Sequence, residues 1–283
     1  MIVHVVDGTY ELFRHFFGAR RGNRGEDLPF AAVTGVLNTI LQMIEGGATH
    51  LGVATDHVIE SFRNELWPGY KTGEGIEPAL WRQFHPLEDA LRLMGVATWA
   101  MVDLEADDAL ASAAALADAD PVVQKVCIWT SDKDLAQCVR DDRVVQVDRK
   151  SGAIRNAEGV RTKFGVPPEC IADYLALVGD SADGFPGIAG FGPRTAQTLL
   201  NRYGAIDRVP AADASSSAVR LRANMELALL FRTLATLRTD ARLFRDVEEI
   251  RWTGPLPGFA EYMTKINAPR VLERATRAAA RLR

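Results

Sequence analysis

The chain has 283 residues, of which 47% are hydrophobic and 25% are charged, with 23 glycines and 13 prolines. These values are typical of a globular protein of one large domain or two modest ones, and they exclude a disordered or fibrous chain. Three scattered cysteines exclude a disulfide framework and a Cys-based zinc site, and no segment is apolar enough to span a membrane. We therefore expect a cytoplasmic protein without a membrane partner. The net charge of −4 on its own argues against nucleic acid as a partner.

Short apolar runs alternate with helical patterns through the first half of the chain. The runs are Ile2 to Val6, Leu51 to Ala54 and Cys127 to Trp129, and the helical patterns that follow them lie in segments 37–44, 87–94 and 135–139. This alternation predicts an α/β fold with a mostly parallel central sheet flanked by helices.

An acidic residue follows each of these predicted strands. Asp7 and Asp56 follow the first two, and Asp132 comes one Thr-Ser pair after the third. Because ligands of open α/β sheets lie beyond the carboxyl ends of the strands, we expect the three side chains to converge in one crevice.

Aromatic and cationic residues interleave between Arg63 and Arg82, in a stretch that contains Tyr70 and Lys71. Such a stretch can stack a base and bind a phosphate, although aromatic residues at this spacing are as often part of a core. A helical pattern follows over residues 77–94, and Pro86 inside it predicts a kink or a break.

Further acidic residues stand at the starts of predicted helices. Glu105, Asp107 and Asp108 open an Ala-rich helix, and Asp132 and Asp134 follow a strand-like run. Each cluster alone is explained by helix capping and by the favourable interaction of acids with the helix dipole.

From about Val166 the pattern becomes helical to the end of the chain, interrupted by a Gly-rich segment over 179–192. A Gly-x-Gly turn in this segment precedes Pro193, which suits the first position of a helix. The N-terminus of such a helix exposes backbone N–H groups that can bind phosphate, and the simpler interpretation is a loop between helices. Asp180 and Asp183 in the same segment favour the functional interpretation.

Nine acidic residues in all occupy strand ends, helix starts or the Gly-rich segment. So many carboxylates in one crevice would repel each other unless cations neutralised them. Without a His or Cys cluster beside them, Mg²⁺ or Mn²⁺ is favoured over Zn²⁺. Setting the nine aside leaves a net charge of +5, so the acidic total does not exclude a phosphate-backbone partner. The nine are Asp7, Asp56, Glu105, Asp107, Asp108, Asp132, Asp134, Asp180 and Asp183.

With these residues in place, the chain resembles the bacterial 5′-3′ exonuclease and flap endonuclease family, including the N-terminal 5′-nuclease domain of bacterial DNA polymerase I. The resemblance is collinear over roughly residues 1–240. It implies a PIN-like nuclease core over residues 1–165 with a helical arch around 63–94. It also implies a helical region over 166–283 that contains a helix-hairpin-helix motif of the three-turn type at about 168–203. The motifs that carry it are Val6-Asp7-Gly8 with Leu12-Phe13-Arg14, Thr55-Asp56 with Ser61-Phe62-Arg63, Gly69-Tyr70-Lys71, Glu105-Ala106-Asp107-Asp108, Thr130 to Leu135, and Gly179-Asp180 through Thr195-Ala196.

The resemblance also implies a role for each acidic residue. One metal centre would be served by Asp7, Asp56, Glu105 and Asp107, and a second by Asp132, Asp134 and Asp183. Asp108 and Asp180 would support these ligands. Two or three Mg²⁺ or Mn²⁺ ions are expected, and Lys71 takes the place of an arch lysine that approaches the scissile phosphate.

Two DNA-binding surfaces follow from the same resemblance. The resemblance implies that four residues near the arch bind DNA, namely Arg14, Arg63, Tyr70 and Arg82. In the family the hairpin binds duplex DNA, often with a monovalent cation such as K⁺. The resemblance therefore implies that hairpin residues of this chain also bind DNA, namely Gly187, Gly190, Gly192, Arg194 and Thr195.

The chain departs from the family pattern at two positions. Glu74 stands where the family commonly has Arg, which we expect to weaken the grip on the 5′ strand or to shift flap preference. Gly184 replaces an Asn before a Pro-Gly turn, and we expect this change to be tolerated because Gly readily adopts turn conformations.

The function indicated is two-metal hydrolysis of DNA phosphodiester bonds near single-strand/duplex junctions, in replication and repair, by a monomer. Its partners would be branched or 5′-ended DNA, such as a flap, a gap or an RNA primer. An alternative is a catalytically weak protein that binds branched DNA, which Glu74 favours. A haloacid-dehalogenase-type phosphatase, suggested by Val6-Asp7-Gly8-Thr9, is disfavoured because Val5 occupies the nucleophile's place.

Overall fold

The structure is a computed structural model that describes residues 1–22 and 28–282. The strands in these ranges are β1 (Ile2–Asp7), β2 (His50–Asp56), β3 (Ala97–Met101), β4 (Lys125–Trp129), β5 (Val144–Val147) and β6 (Ile154–Arg155). The α-helices there are α1 (Gly8–Gly22), α2 (Ala31–Glu45), α3 (Phe62–Leu66), α4 (Pro78–Trp81), α5 (Phe84–Leu93), α6 (Ala106–Ala119), α7 (Ala157–Phe164), α8 (Ile171–Val178), α9 (Pro193–Tyr203), α10 (Ser216–Ala223), α11 (Met225–Ala235), α12 (Phe259–Lys265) and α13 (Pro269–Ala280). No helix among the described residues is both long and apolar enough to cross a membrane.

The strands form one sheet in the order β3-β2-β1-β4-β5-β6. All neighbours pair in parallel except β5 and β6, which are antiparallel. The predicted mostly parallel sheet is therefore confirmed, and so are the strands predicted at β1, β2 and β4. Sequence analysis missed β3, β5 and β6, because these segments are short and lack a long apolar run.

Helices cover both faces of the sheet. Val6 of β1 packs in a core with residues of α1, α2 and α5, including Leu37 and Leu87. Val5, which points to the opposite face because successive side chains of a strand alternate, packs against the alanines of α6, among them Ala109 and Ala113. The ends of the central strands are thus held between two helical layers.

The second half of the chain is helical, as predicted, and within its described residues it contributes no strand to the sheet. Segment 166–235 forms most of a second core, built around residues such as Leu175, Phe185 and Phe231, and Tyr70 and Val160 from the first half of the chain are part of it. The last two helices, α12 and α13, instead pack against α5 and α2, and Val271 shares a core with Leu37. The division of the chain at residue 165 remains a prediction.

Two local predictions need correction. The helix predicted over 135–139 is a 3₁₀ turn, Asp134–Cys138. Pro86 does not break a helix, because it lies in the first turn of α5, where its missing N–H has no partner to lose. The break predicted in this pattern falls just before it, between α4 and α5.

Candidate active site

The predicted acidic residues lie at the carboxyl edge of the sheet. Asp7 ends β1 and Asp56 ends β2. Asp7 accepts hydrogen bonds from the Tyr10 N–H (2.8 Å) and from the Thr130 hydroxyl (3.0 Å). Asp56 accepts one from the N–H of Ala106, at the start of α6 (2.8 Å). The backbone thus fixes both carboxylates in the crevice that the sequence predicts.

Asp7, Asp56, Asp107 and Asp132 are close enough to repel one another. Burial, together with the charges of Asp56 and Asp132, raises the pKa of Asp7 to about 7. Burial and the charges of Asp132 and Asp7 raise the pKa of Asp107 well above its ordinary value. The pKa of Asp56 is also raised, chiefly by burial. A bound cation would relieve this repulsion.

A second group consists of Asp134, Asp180 and Asp183. Each offers one carboxylate oxygen, and these oxygens all lie within 4.8 Å of one another. Asp134 Oδ1 is buried without a hydrogen-bond partner, and burial and the neighbouring acids raise the pKa of Asp134. An orphaned oxygen in an all-carboxylate site fits a hard divalent cation. The structure thus places Asp180 directly in this group, where the sequence suggested only a supporting role.

Lys71 lies between Glu105, which stands beside Asp56 of the first group, and Asp183 of the second group. Its Nζ lies 2.7 Å from Glu105 Oε2 and 2.9 Å from Asp183 Oδ1. Burial opposes its charge, but Glu105 and Asp183 outweigh burial and hold the pKa of Lys71 well above its usual value. Lys71 is therefore a fixed positive charge at the centre of the acidic site.

The segment that carries Lys71 is docked on the Gly-rich loop. The Lys71 N–H donates to the Asp183 carbonyl (3.0 Å), and Trp67 Nε1 donates to the Gly184 carbonyl (3.0 Å). Gly184 has φ +82°, and a Cβ there would lie 2.0 Å from the Gly69 carbonyl oxygen. This confirms that Gly suits the position, because a larger residue would push the segment away.

Arg63 is buried in the core, with only 1% of its surface exposed. Its guanidinium binds both oxygens of Asp108 (2.7 and 2.8 Å) and also Glu105 Oε1 (2.9 Å). Asp108 also accepts the backbone N–H groups of Glu105 and Arg238. The prediction that Arg63 contacts DNA is therefore wrong, because its buried guanidinium is held by Asp108 and Glu105, and Asp108 supports Glu105 and Arg63 with both of its oxygens engaged.

Replacing Arg63 with Ala should lower the free energy of unfolding by about 3–5 kcal/mol, because Glu105 and Asp108 would remain as uncompensated buried charges. Urea unfolding measures this change. Arg251→Ala, which removes an exposed ion pair with Glu248, should change stability little. An Arg63 variant as stable as the wild type would contradict the assignment.

The other cationic and aromatic residues of the arch take different positions. Tyr70 is 4% exposed and part of a core, and its hydroxyl lies 3.4 Å from Glu105 Oε2, so the core interpretation holds for it and the prediction that it binds DNA is wrong. Arg14 is one-third exposed and pairs with the buried Glu11. Arg82 is exposed beside a cavity of about 500 Å³. Of these residues, Arg14 and Arg82 keep their predicted access to solvent.

The hairpin residues join α8 to α9. Gly187 and Gly190 have φ of +71° and +82°, and a Cβ on Gly187 would lie 2.3 Å from the Gly179 nitrogen. Gly192 is the N-cap of α9, and Pro193 is its first residue, as predicted. Arg194 and Thr195 follow in the first turn, where helix N–H groups are free to bind an anion.

Sequence analysis assigned no role to three residues that hold the site together. The Ser61 hydroxyl donates to Glu105 Oε1 (2.7 Å), and Lys133 Nζ donates to Asp180 Oδ1 (2.6 Å). Gln146 on β5 donates to the Asp132 carbonyl (2.6 Å) and is fully buried. Ser61 and Lys133 lie within the motifs that carry the family resemblance, which is the signal that could have found them, whereas Gln146 has no local signal.

Family models match nearly the whole chain. Residues 2–165 match the N-terminal resolvase-like domain of 5′-3′ exonuclease, and residues 166–257 match its C-terminal SAM fold. The chain belongs to the 5′-3′ exonuclease family. The predicted fold, a PIN-like core with a helical C-terminal region, is confirmed by these matches.

Relatives of this exonuclease-family chain occur both alone and inside longer proteins. It is 35% identical over 262 residues to DNA polymerase I of Pseudomonas aeruginosa, an alignment that covers 87% of this chain and 28% of that protein. It is 29% identical over 260 residues to the 5′-3′ exonuclease of Buchnera aphidicola, which covers 87% of this chain and 89% of the other. The chain thus spans about a quarter of the polymerase relatives' length.

Solved structures share the fold. The T5 D15 protein co-crystallised with metal ions superposes with a TM-score of 0.67 at 22% identity, covering 97% of this chain and all of that one. At this identity the likeness supports the fold, and the roles of individual residues rest on the geometry of this chain.

Proposed function

We propose that this protein is a divalent-metal-dependent 5′ nuclease that hydrolyses DNA phosphodiester bonds at 5′ ends and at junctions of single strand and duplex. The observation that carries the proposal is the pair of buried carboxylate groups with Lys71 between them. Membership of the 5′-3′ exonuclease family supports it. A pure binding module would have no physical reason to keep such mutually repelling acids.

Two divalent ions, Mg²⁺ or Mn²⁺, fit the donor set. Asp7, Asp56, Asp107 and Asp132 would hold one, with Glu105 at its edge, and Asp134, Asp180 and Asp183 would hold the other. Bound there, such ions lower the pKa of water and neutralise charge on the reacting phosphate. A third divalent ion, and a K⁺ ion at the hairpin, belong to the same proposal and rest on the family resemblance alone.

Other residues of the chain would orient the carboxylates, stabilise the reacting phosphate and bind the duplex. The hydrogen bonds from Tyr10, Thr130 and Ala106 keep Asp7 and Asp56 oriented before substrate arrives. Lys71 places a positive charge where a phosphodiester becomes more negative as it reacts. The first turn of α9, with Arg194 exposed, would bind the backbone of the duplex.

The finer parts of the proposal are the substrate and the setting. The substrate would be a 5′ flap, a gap or an RNA primer on DNA, and the protein would act as a monomer in the bacterial cytoplasm. DNA polymerase I and 5′-3′ exonuclease among its relatives support a role in DNA replication and repair.

Cleavage of end-labelled DNA tests the proposal. A 5′-flap duplex, a blunt duplex and the matching single strand are incubated with Mg²⁺, with Mn²⁺ or with EDTA. We expect metal-dependent cuts near the flap junction, little cutting of the single strand and none in EDTA.

The same assay separates the alternative function. Tight flap binding without product under either metal would overturn the nuclease and leave a branched-DNA-binding protein. Exposed Glu74, in the loop that follows Lys71, is the feature that favours this outcome. Glu74→Arg should then strengthen flap binding without producing cleavage.

A further inference from the structure

A cavity of about 480 Å³ lies on the face of the sheet that α2 covers. It extends from Ile2, at the start of β1, to Trp129, which pairs with Val6 near the end of the same strand. Four residue steps separate these positions, so the cavity is about 13 Å long. Its volume suits a small organic ligand, and the acidic residues of the candidate active site are not part of its lining. The lining includes Ile2, His4, Gln42, Met43, Trp129 and Arg149.

Arg149 lies at the Trp129 end of the cavity, and its charge lacks a full partner. The side chain is 14% exposed, and its Nε is buried without a hydrogen-bond partner. Glu11 comes no closer than 3.9 Å, because both of its oxygens already accept hydrogen bonds from Arg14. Two arginines thus share one carboxylate, which leaves a positive charge uncompensated at this end of the cavity.

Asp148, the residue before Arg149, does not supply the missing charge. One of its oxygens accepts from the Ser131 hydroxyl (2.8 Å), and the other accepts from the Ser151 N–H (2.7 Å) and hydroxyl (2.6 Å). Burial lowers the pKa of Arg149 below its usual value, which shows that its surroundings disfavour the charge. An anion bound in the cavity would remove this cost.

Trp129 and His4 give the cavity a fixed aromatic wall. Trp129 Nε1 donates to His4 Nδ1 (3.0 Å), and Arg149 Cζ lies 5.1 Å from the centre of the Trp129 ring. Burial lowers the pKa of His4 to about 4, so its ring is neutral at pH 7. Because the indole N–H can only donate, His4 accepts at Nδ1 and carries its proton on Nε2, a donor without a partner among the described residues.

The cavity therefore combines one uncompensated cation, one neutral donor and an apolar surface. Inorganic phosphate would satisfy Arg149 and leave the apolar surface of Ile2 and Met43 in water. An uncharged ring would cover that surface and leave Arg149 without a partner. A ligand that joins a flat ring to an anionic group matches both features.

We propose that this cavity binds a nucleoside monophosphate, with its phosphate on Arg149 and its base and sugar along the surface between Trp129 and Ile2. The identity of the ligand rests on the proposed function, because hydrolysis at a 5′ end releases nucleotides of this kind. A guanidinium group binds two phosphate oxygens at once, and His4 Nε2 donates to the base or the sugar. The cavity is then a product site separate from the carboxylates.

Equilibrium dialysis against radiolabelled deoxyadenosine 5′-monophosphate tests the site. EDTA is present throughout, so that no metal ion can hold the nucleotide at the carboxylates. We expect saturable binding with a Kd below about 1 mM. Deoxyadenosine and inorganic phosphate, added as competitors, should each bind at least about 10-fold more weakly, because each makes only part of the contacts.

Two variants alter the two halves of the site. Arg149→Gln should raise Kd about 10-fold or more, and it leaves no acid unpaired, since Glu11 keeps Arg14. The matched control is Lys150→Gln, which removes the same charge from an exposed neighbour outside the lining and should bind as the wild type does. Gln42→Trp fills the cavity from an exposed position of α2 and should also raise Kd about 10-fold, whereas Gln42→Ala should not.

Absence of saturable binding, or wild-type affinity in either Arg149→Gln or Gln42→Trp, would overturn the site. Phosphate that binds as tightly as the nucleotide would refute the role of the apolar surface, and equally tight deoxyadenosine would refute that of Arg149. Cleavage of flap DNA is measured on the same protein. Nucleotide binding without cleavage would overturn the proposed function, and with it the source of the ligand, whereas cleavage without nucleotide binding would overturn this inference alone.

Discussion

Lys71→Ala is expected to slow cleavage of a 5′-flap substrate by about 10²- to 10³-fold. The Lys71 ammonium lies within 3 Å of both Glu105 and Asp183, so its charge stands between the two acidic groups. A phosphodiester held there gains negative charge as it reacts, and a fixed positive charge stabilises that change more than it stabilises the bound substrate. Single-turnover cleavage with Mg²⁺ measures the effect.

Binding separates this role from a structural one. Affinity for flap DNA in EDTA should change little in the Lys71 variant, because the hairpin is a separate surface. Lys71→Arg should restore part of the rate, since it keeps the charge. Lys125→Ala is the matched control, because Lys125 starts β4 at the opposite edge of the sheet. Unchanged turnover in Lys71→Ala would contradict the assignment.

The acidic site was predictable because its signal is local. Asp7 and Asp56 directly end buried strands, and parallel topology alone brings such positions to one edge. The family resemblance, carried by ordered motifs, added Lys71 to the predicted site. The alternation of strand and helix patterns along the chain also predicts the parallel sheet. The short edge strands could not be predicted, because their hydrophobic pattern is too weak.

Arg63 and Tyr70 show where local reasoning ends. Both lie in motifs that suggest contact with DNA, but each is buried against a carboxylate more than thirty residues away in sequence. Burial of a cation depends on whether a partner reaches it in the fold, and one sequence does not contain that information. The close contact between Gly69 and Gly184 also depends on the tertiary fold, because no sequence motif links these two distant glycines.

The second large effect concerns Asp7. Asp7→Asn should lower metal-dependent cleavage by about 10³-fold or more, because it removes a carboxylate from the group that would hold a metal ion. In EDTA the same variant should be more stable than the wild type above pH 7, by up to about 4 kcal/mol, because the pKa of Asp7 lies about three units above its ordinary value. Asn has nearly the same shape and its Oδ1 can still accept the Tyr10 N–H, while its amide NH2 can donate to the Thr130 hydroxyl, which now acts as the acceptor, so the change removes mainly charge.

The direction of the pH dependence follows from the raised pKa. Burial and neighbouring acids lift the pKa of Asp7 from 3.8 to about 7, so between these values the folded protein binds more protons than the unfolded chain. The contribution of Asp7 to the stability of the metal-free protein should therefore fall as pH rises from about 4 to 7 and level off above. Asp7→Asn should flatten this slope, and urea unfolding across the pH range in EDTA measures it.

Metal ions should reverse the order of stability. Mg²⁺ binds the folded protein and stabilises it in proportion to its affinity, so the wild type should gain more unfolding free energy than Asp7→Asn. Lys125→Ala should show the wild-type gain, since it leaves every carboxylate in place. Equal gains in wild type and Asp7→Asn would show that Asp7 does not hold the ion. If the metal-free Asn variant were less stable than the wild type, the repulsion among Asp7, Asp56 and Asp132 would not be what limits stability at this edge of the sheet.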